Sequence, residues 1–288
     1  MLFIILSVFL NSFLFVIFKL FNKFKIDTFQ AIVVNYYFAF IVAYLASDIK
    51  FSITQTPKED WFLGTVFLGF LFVSIFYVIG LTAQKLGMSV VAVAGKMSVV
   101  IPILFGIIIY NESLGIYKAI GIIIALIAVY FVSSKENKIN LKKTDLLLPF
   151  ILFLGSGTID TTLKYLQTNY ISEDENSIYL SVIFLIAGLL GTILLIYYII
   201  TNKSKLSFKN FFGGLFLGIV NYYALFFLLK ALSNGMESST VFTINNVAIV
   251  LFSTIIGLVF FKEKLSKKNI LGIILAIISI FMITLTIA

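Results

Sequence analysis

Ten apolar runs of about twenty residues, separated by short polar segments, constrain this 288-residue chain more than any other feature. A bilayer-crossing helix takes roughly 20 residues. Ten of them use about 200 residues and leave about 90 for every loop and end. No soluble enzyme domain fits in that remainder. Transmembrane β-strands are alternating segments of about ten residues, and these runs are longer and continuous. The expected fold is therefore an all-α membrane protein with ten transmembrane helices. Composition agrees: 61% of the chain is hydrophobic and 12% charged, against about 45–50% and about 25% in soluble domains.

The expected spans are Leu2–Phe18, Thr28–Ala46, Trp61–Ala83, Ser89–Tyr110 and Leu114–Val132, then Leu146–Leu166, Ile178–Thr201, Phe211–Leu232, Ser238–Phe261 and Lys268–Ile287. The first run lacks a basic leader and a small-residue cleavage site, so it reads as a span and not as a signal peptide.

Three absences narrow the chemistry. Without Cys there is no disulfide, thiolate nucleophile or iron–sulfur ligand. Without His the commonest metal ligand and proton shuttle are missing. All 21 basic residues are Lys, so two-pronged guanidinium recognition is unavailable. No cofactor or metal is expected. The net charge of +8 lies mostly in short loops. That pattern suits topology and lipid contact, with no nucleic-acid partner expected.

Alternate loops and adjoining span ends hold fifteen lysines: Lys19, Lys23, Lys25, Lys85, Lys135, Lys138, Lys142, Lys143, Lys203, Lys205, Lys209, Lys262, Lys264, Lys267 and Lys268. The opposite loops hold three, namely Lys50, Lys58 and Lys118. The positive-inside rule then puts both termini outside the cytoplasm, in a multi-pass plasma-membrane protein.

The second half echoes the first. Gly106, Glu112, Leu114, Gly121 and Ala125 recur 151 residues later as Gly257, Glu263, Leu265, Gly272 and Ala276. Leu68-Gly69 recurs as Leu217-Gly218, Gly87-Met88 as Gly235-Met236, and Lys19 as Lys164. The offset drifts from 145 to 151, as small loop insertions would cause. This divides the chain into a five-span repeat over 1–134, a basic linker at 135–145 and a second five-span repeat over 146–288. Five is odd, so the two halves enter the membrane in opposite directions. Many secondary transporters build two alternately open gates from such inverted repeats.

The segment Tyr110-Asn-Glu-Ser-Leu-Gly-Ile-Tyr-Lys-Ala-Ile-Gly121 and its echo Phe261-Lys-Glu-Lys-Leu-Ser-Lys-Lys-Asn-Ile-Leu-Gly272 resemble the EamA-type repeat of the drug/metabolite transporter superfamily. The resemblance covers nearly the whole chain. It implies ten spans and transport of amino acids, metabolites or drugs, or exchange of sugar phosphates or nucleotide sugars. It does not specify which substrate. Many ten-span members have both termini in the cytoplasm, the reverse of what the lysine split implies here.

Polar groups inside spans are expensive in hydrocarbon and usually face a cavity. Asp160 is the one Asp deep in a span, with Lys164 one turn later on the same helix face. The pair reads either as internally neutralised, with Lys164 reaching toward the interface, or as a coupling site. In the second case the carboxylate alternates between a proton and a cation. Lys96 stands about 10 Å into the fourth span at 1.5 Å per residue, with no acid in its own span. It is expected either to pair across the bundle or to meet an anionic substrate group. Asn11, Asn221, Tyr222, Asn245 and Asn246 are candidate neutral substrate contacts, with Tyr77 as a stacking ring. Each alone more often joins helices, at around 0.6 kcal/mol; together they favour a hydrated cavity. Glu112 and Glu263 stand one or two residues before the next helix and are expected to cap it. Pro102, with Gly95 and Gly106, can kink the fourth span.

The leading expectation is a secondary transporter, not an enzyme, moving a small polar or amphipathic metabolite such as an amino acid or an effluxed drug. No G-x-x-x-x-G-K-[ST] loop occurs, so coupling falls to protons or solute exchange. A lipid flippase or an intramembrane lipid-modifying enzyme is the alternative. An intramembrane aspartyl protease needs two buried Asp, and a serine–histidine protease needs the missing His. The expected partners are a small-molecule substrate, the bilayer and protons, with the chain as monomer or homodimer.

Overall fold

The computed structural model describes residues 2–48, 56–110, 115–133, 147–172, 175–201, 206–233 and 238–285. Glu112, the Gly235-Met236 pair and the whole of the basic linker lie outside them. Eleven α-helices run through these residues: α1 Leu2–Phe24, α2 Thr28–Leu45, α3 Phe62–Lys85, α4 Met88–Met97, α5 Val100–Tyr110, α6 Ile116–Ser133, α7 Leu148–Tyr170, α8 Asn176–Ile200, α9 Phe208–Ser233, α10 Ser238–Val259 and α11 Lys267–Leu285. Five stretches are long and apolar enough to cross a membrane: α1, α2, α3, α8 and Phe208–Ala231 of α9.

Each expected span coincides with a helix except the fourth, which is two. The break falls at Ser98-Val99. Its cause is Pro102, whose ring displaces the carbonyl four residues back, at Ser98, and which has no N–H to offer it. Ile101 N–H takes that carbonyl instead at 2.9 Å, and the Ser98 hydroxyl bonds the Gly95 carbonyl.

The halves interlock along their lengths. α2 packs on α8 and α9, α3 on α7 and α8, α1 on α9 and α10, α7 on α4 and α5, and α6 on α11. Exchanging the halves maps these contacts onto each other: α2–α9 becomes α8–α3, and α1–α9 becomes α7–α3. The α2–α9 contact is closest where Gly214 and Gly218, one turn apart, meet the α2 backbone. A Cβ at these positions would stand 2.5 Å from the Ala31 and Asn35 carbonyl oxygens. Small residues at this spacing let helix backbones touch without lipid between them.

Polar side chains then tie the halves together. Asn221 Nδ2 donates to Asn35 Oδ1 at 3.2 Å, Tyr37 OH pairs with Thr192 Oγ1 at 2.7 Å, and Ser279 donates to the Gly121 carbonyl at 2.7 Å. Asp27 caps α2 through the Gln30 N–H at 3.0 Å, while its own N–H donates to Asn210 of the other half at 2.9 Å.

The expectation for Glu263 is corrected. It does not cap α11, because Ser266 and Asn269 already do so reciprocally: Asn269 N–H donates to Ser266 Oγ at 3.1 Å and Ser266 N–H to Asn269 Oδ1 at 3.1 Å. The Glu263 carboxylate turns across the bundle and accepts the Met88 N–H at the start of α4 at 3.0 Å.

Candidate functional site

The break in span four decides where Lys96 goes. It leaves Lys96 on the last turn of α4, near the partial negative charge of the helix end. A cation held deep in the bundle is therefore partly compensated by its own backbone. Across from it, Asp160 stands in the middle of α7, whose Gly155-Ser-Gly157 stretch lets neighbouring helices approach closely.

Lys96 and Asp160 line one cavity of about 130 Å³, together with Asn11, Ser156 and Asn221. One buried water needs roughly 10–15 Å³ on the same measure, so several waters or a small solute fit. The rest of the wall is apolar and aromatic, including Phe15, Phe72 and Phe76. Lys96 and Asp160 interact electrostatically across this space. They are not in direct contact: no ion pair within 4.0 Å joins them. Two opposite charges facing a small apolar-walled cavity, without touching, leave room for a solute bearing complementary groups.

The wall follows the internal repeat. At the 145-residue offset of Lys19 and Lys164, Asn11 matches Ser156, Leu14 matches Ile159 and Phe15 matches Asp160; all six line the cavity. At the 149-residue offset of Leu68 and Leu217, Phe72 matches Asn221, Ile75 matches Ala224 and Phe76 matches Leu225, again all in the wall. The cavity therefore lies where the halves meet, with equivalent positions on both sides. The charges break that equivalence, because Asp160 answers Phe15, and no offset from 148 to 151 puts a charged residue opposite Lys96.

The other sequence candidates lie elsewhere. Lys164 is half-buried and outside the wall, with no ion pair to Asp160. Tyr77 packs edge-on against Phe29, with centroids 5.4 Å apart. Tyr222 is fully buried, stacks on Phe226 and shares a 3.4 Å hydroxyl contact with Ser177. Asn245 and Asn246 are buried in α10 away from the wall, Asn245 with its Oδ1 lacking a hydrogen-bond partner. Asn11 and Asn221 face the cavity with commitments already made: Asn11 Nδ2 donates to the Ser7 carbonyl at 2.9 Å, and Asn221 Nδ2 to Asn35. Sequence reasoning missed Ser156 and the aromatic wall. Matching Asn11 through the Lys19–Lys164 offset would have found Ser156; nothing separates three wall Phe from 32 in the chain.

Residues 1–134 and 144–285 match the EamA-like transporter family. A relative described as an uncharacterized protein of Haemophilus influenzae is 28% identical over 278 residues, covering 92% of this chain and 91% of that protein. One solved crystal structure shares the fold with a TM-score of 0.59 over 97% of this chain and 98% of that one, at 12% identity. The long apolar helices make this a multi-pass membrane protein, and the match across both halves makes it a member of the EamA-like transporter family.

Proposed function

We propose that this chain is a secondary transporter of a small polar or amphipathic metabolite, amino-acid-like or an efflux substrate, bound between Lys96 and Asp160. The observation that carries the reading is the cavity between the halves, with equivalent wall positions and two unmatched charges. Lys96 is suited to a carboxylate or phosphate, as a point charge without the fork of Arg. Asp160 is suited to a cationic group or a proton, which would couple substrate movement to a proton gradient or restrict the carrier to exchange. Ten crossings in two inverted five-helix repeats, 1–134 and 146–288, supply alternating access. The paired helix contacts support that arrangement, with α4 and α5 together making one broken crossing. Broken helices at a binding site are typical of transporters, because free backbone groups are tolerated in a membrane where they line a cavity.

Flux into proteoliposomes, driven by a pH or solute gradient and followed over amino acids, sugar phosphates, nucleosides and cationic drugs, tests the reading. Saturable uptake of at least one class is expected. Lipid scrambling without solute flux would overturn it. From the lysine split, both termini face away from the cytoplasm in the plasma membrane. A reporter that works only in the cytoplasm, fused after Ala288, should be silent; activity there reverses the orientation.

A further inference from the structure

Glu263 is committed to a direct ion pair across the two halves, with space made for its side chain. Its Oε1 lies 3.1 Å from Lys19 Nζ on α1 and accepts the Met88 N–H that opens α4. Lys19 Nζ also donates to the Ala83 carbonyl at the end of α3, at 3.3 Å. Two glycines make the space. Gly87 has φ +104°, and a Cβ there would stand 3.1 Å from Glu263 Oε2; at Gly257 the same distance would be 2.7 Å. One side chain from the second half thus fastens three helices of the first.

The place of this junction is as informative as its bonds. Phe15, Ile79 and Val91 line the cavity on α1, α3 and α4. Lys19, Ala83 and Met88 lie four, four and three residues from them, about one helical turn nearer the lysine-rich loops. Ala83 and Met88 of the junction are fully buried, as is Phe18 beside Lys19.

We propose that the Glu263–Lys19–α4 junction is a releasable clasp: it shuts the cavity toward the lysine-rich side, and its opening is a gating step of the transport cycle. Release is feasible because the charges are not sealed from water, their side chains being 10% and 23% exposed. Lys19 also keeps the Ala83 carbonyl when Glu263 leaves. Parting the clasp separates α10–α11 from α1, α3 and α4, an opening between halves and not within one. The α4 that it frees carries Lys96 two turns further on, so gate and binding site move on one element. The idea rests on the transport reading.

The absence of Cys makes the test direct, since any introduced thiol is the only one. Ile79→Cys reports access to the cavity, and Lys23→Cys on a separate chain marks which side a membrane-impermeant maleimide reaches. From the side that labels Lys23→Cys, Ile79→Cys should react slowly. Adding Glu263→Gln or Lys19→Met should raise its rate at least tenfold in folded, monodisperse protein. An unchanged rate in both variants would make the junction a static brace and overturn the proposal. Two variants are needed in case one fails to fold; Lys19→Met still leaves Glu263 on the Met88 N–H. Joining Lys19→Cys to Glu263→Cys with a reducible bifunctional thiol reagent should stop solute flux, and reductant should restore it. Undiminished flux in the joined protein would also overturn the clasp. Should no solute move through any variant, the transport reading fails, while the labelling rates still decide the clasp.

Discussion

The cavity and the Glu263 junction treat the internal repeat in opposite ways. Every side chain of the junction has a sequence counterpart of the same type in the other half: Lys19 with Lys164, Gly87-Met88 with Gly235-Met236, Gly257 with Gly106, and Glu263 with Glu112. The two cavity charges have none: Phe15 answers Asp160, and the stretch Ile244–Val247 opposite Lys96 holds no charge. Residues that an inverted repeat needs at both ends recur in both halves. A small asymmetric solute needs its charged contacts once, at the middle. The difference separates architecture from specificity without any appeal to conservation, and it can be broken experimentally.

The largest effect should fall on the repeated framework. Gly218 of α9, the echo of Gly69, faces backbone, not a yielding side chain: a Cβ would meet the Asn35 carbonyl oxygen at 2.5 Å and Ala39 N at 3.2 Å. Gly218→Val must push α2 and α9 apart. A loss of about 3 kcal/mol, the upper part of the usual overpacking range, is expected, read as a collapse in monodisperse yield and melting temperature. Parent-like melting would disprove the close approach of the helices.

Next come the unmatched charges. Lys96→Met removes a charge-assisted contact of about 1.5–3 kcal/mol, so affinity for carboxylate or phosphate ligands should fall about 10- to 100-fold. The variant should still fold to a monodisperse protein, because Lys96 and Asp160 are not within ion-pair distance. Asp160→Asn should abolish accumulation driven by a pH gradient while counterflow exchange stays measurable. If both variants bind and accumulate as the parent does, the charges are not the substrate site, whatever the fold.

The sequence made the framework legible for a simple reason: hydrocarbon imposes long apolar runs, and helix limits fall within four residues of those runs except in α1, which continues six residues to Phe24. The break at Ser98-Val99 was only half visible. Pro102 announced a kink, but whether a helix bends or divides depends on who takes the freed carbonyl. Lys96 and Asp160 stood out because isolated charges in long apolar runs are few. Lys164 drew attention by lying one turn from Asp160, yet spacing along one helix says nothing of which face meets the other half. Glu263 illustrates the same limit: local spacing pointed to α11, whereas its partners lie about 175 and 244 residues away in sequence, at Met88 and Lys19. Gly214 and Gly218 carry a readable close-packing signal, but the pattern names no partner helix.

The smallest effect should come from a neutral wall group at a matched position. Asn11 corresponds to Ser156, and its Nδ2 is already spent on the Ser7 carbonyl at 2.9 Å and on Ser7 Oγ at 3.2 Å. What it can still offer a solute is one neutral hydrogen bond, worth about 0.5–1.5 kcal/mol net. Asn11→Ala should therefore weaken binding by roughly threefold to tenfold, well short of Lys96→Met, and equally for anionic and cationic ligands. The comparison of those two variants in one thermal-shift titration is the sharper measurement. If Asn11→Ala weakens binding as much as Lys96→Met does, then the neutral, matched positions select the solute. The unmatched charges would then be a mutually compensating pair retained for the fold, and the division between repeated framework and singular site would fail at its centre.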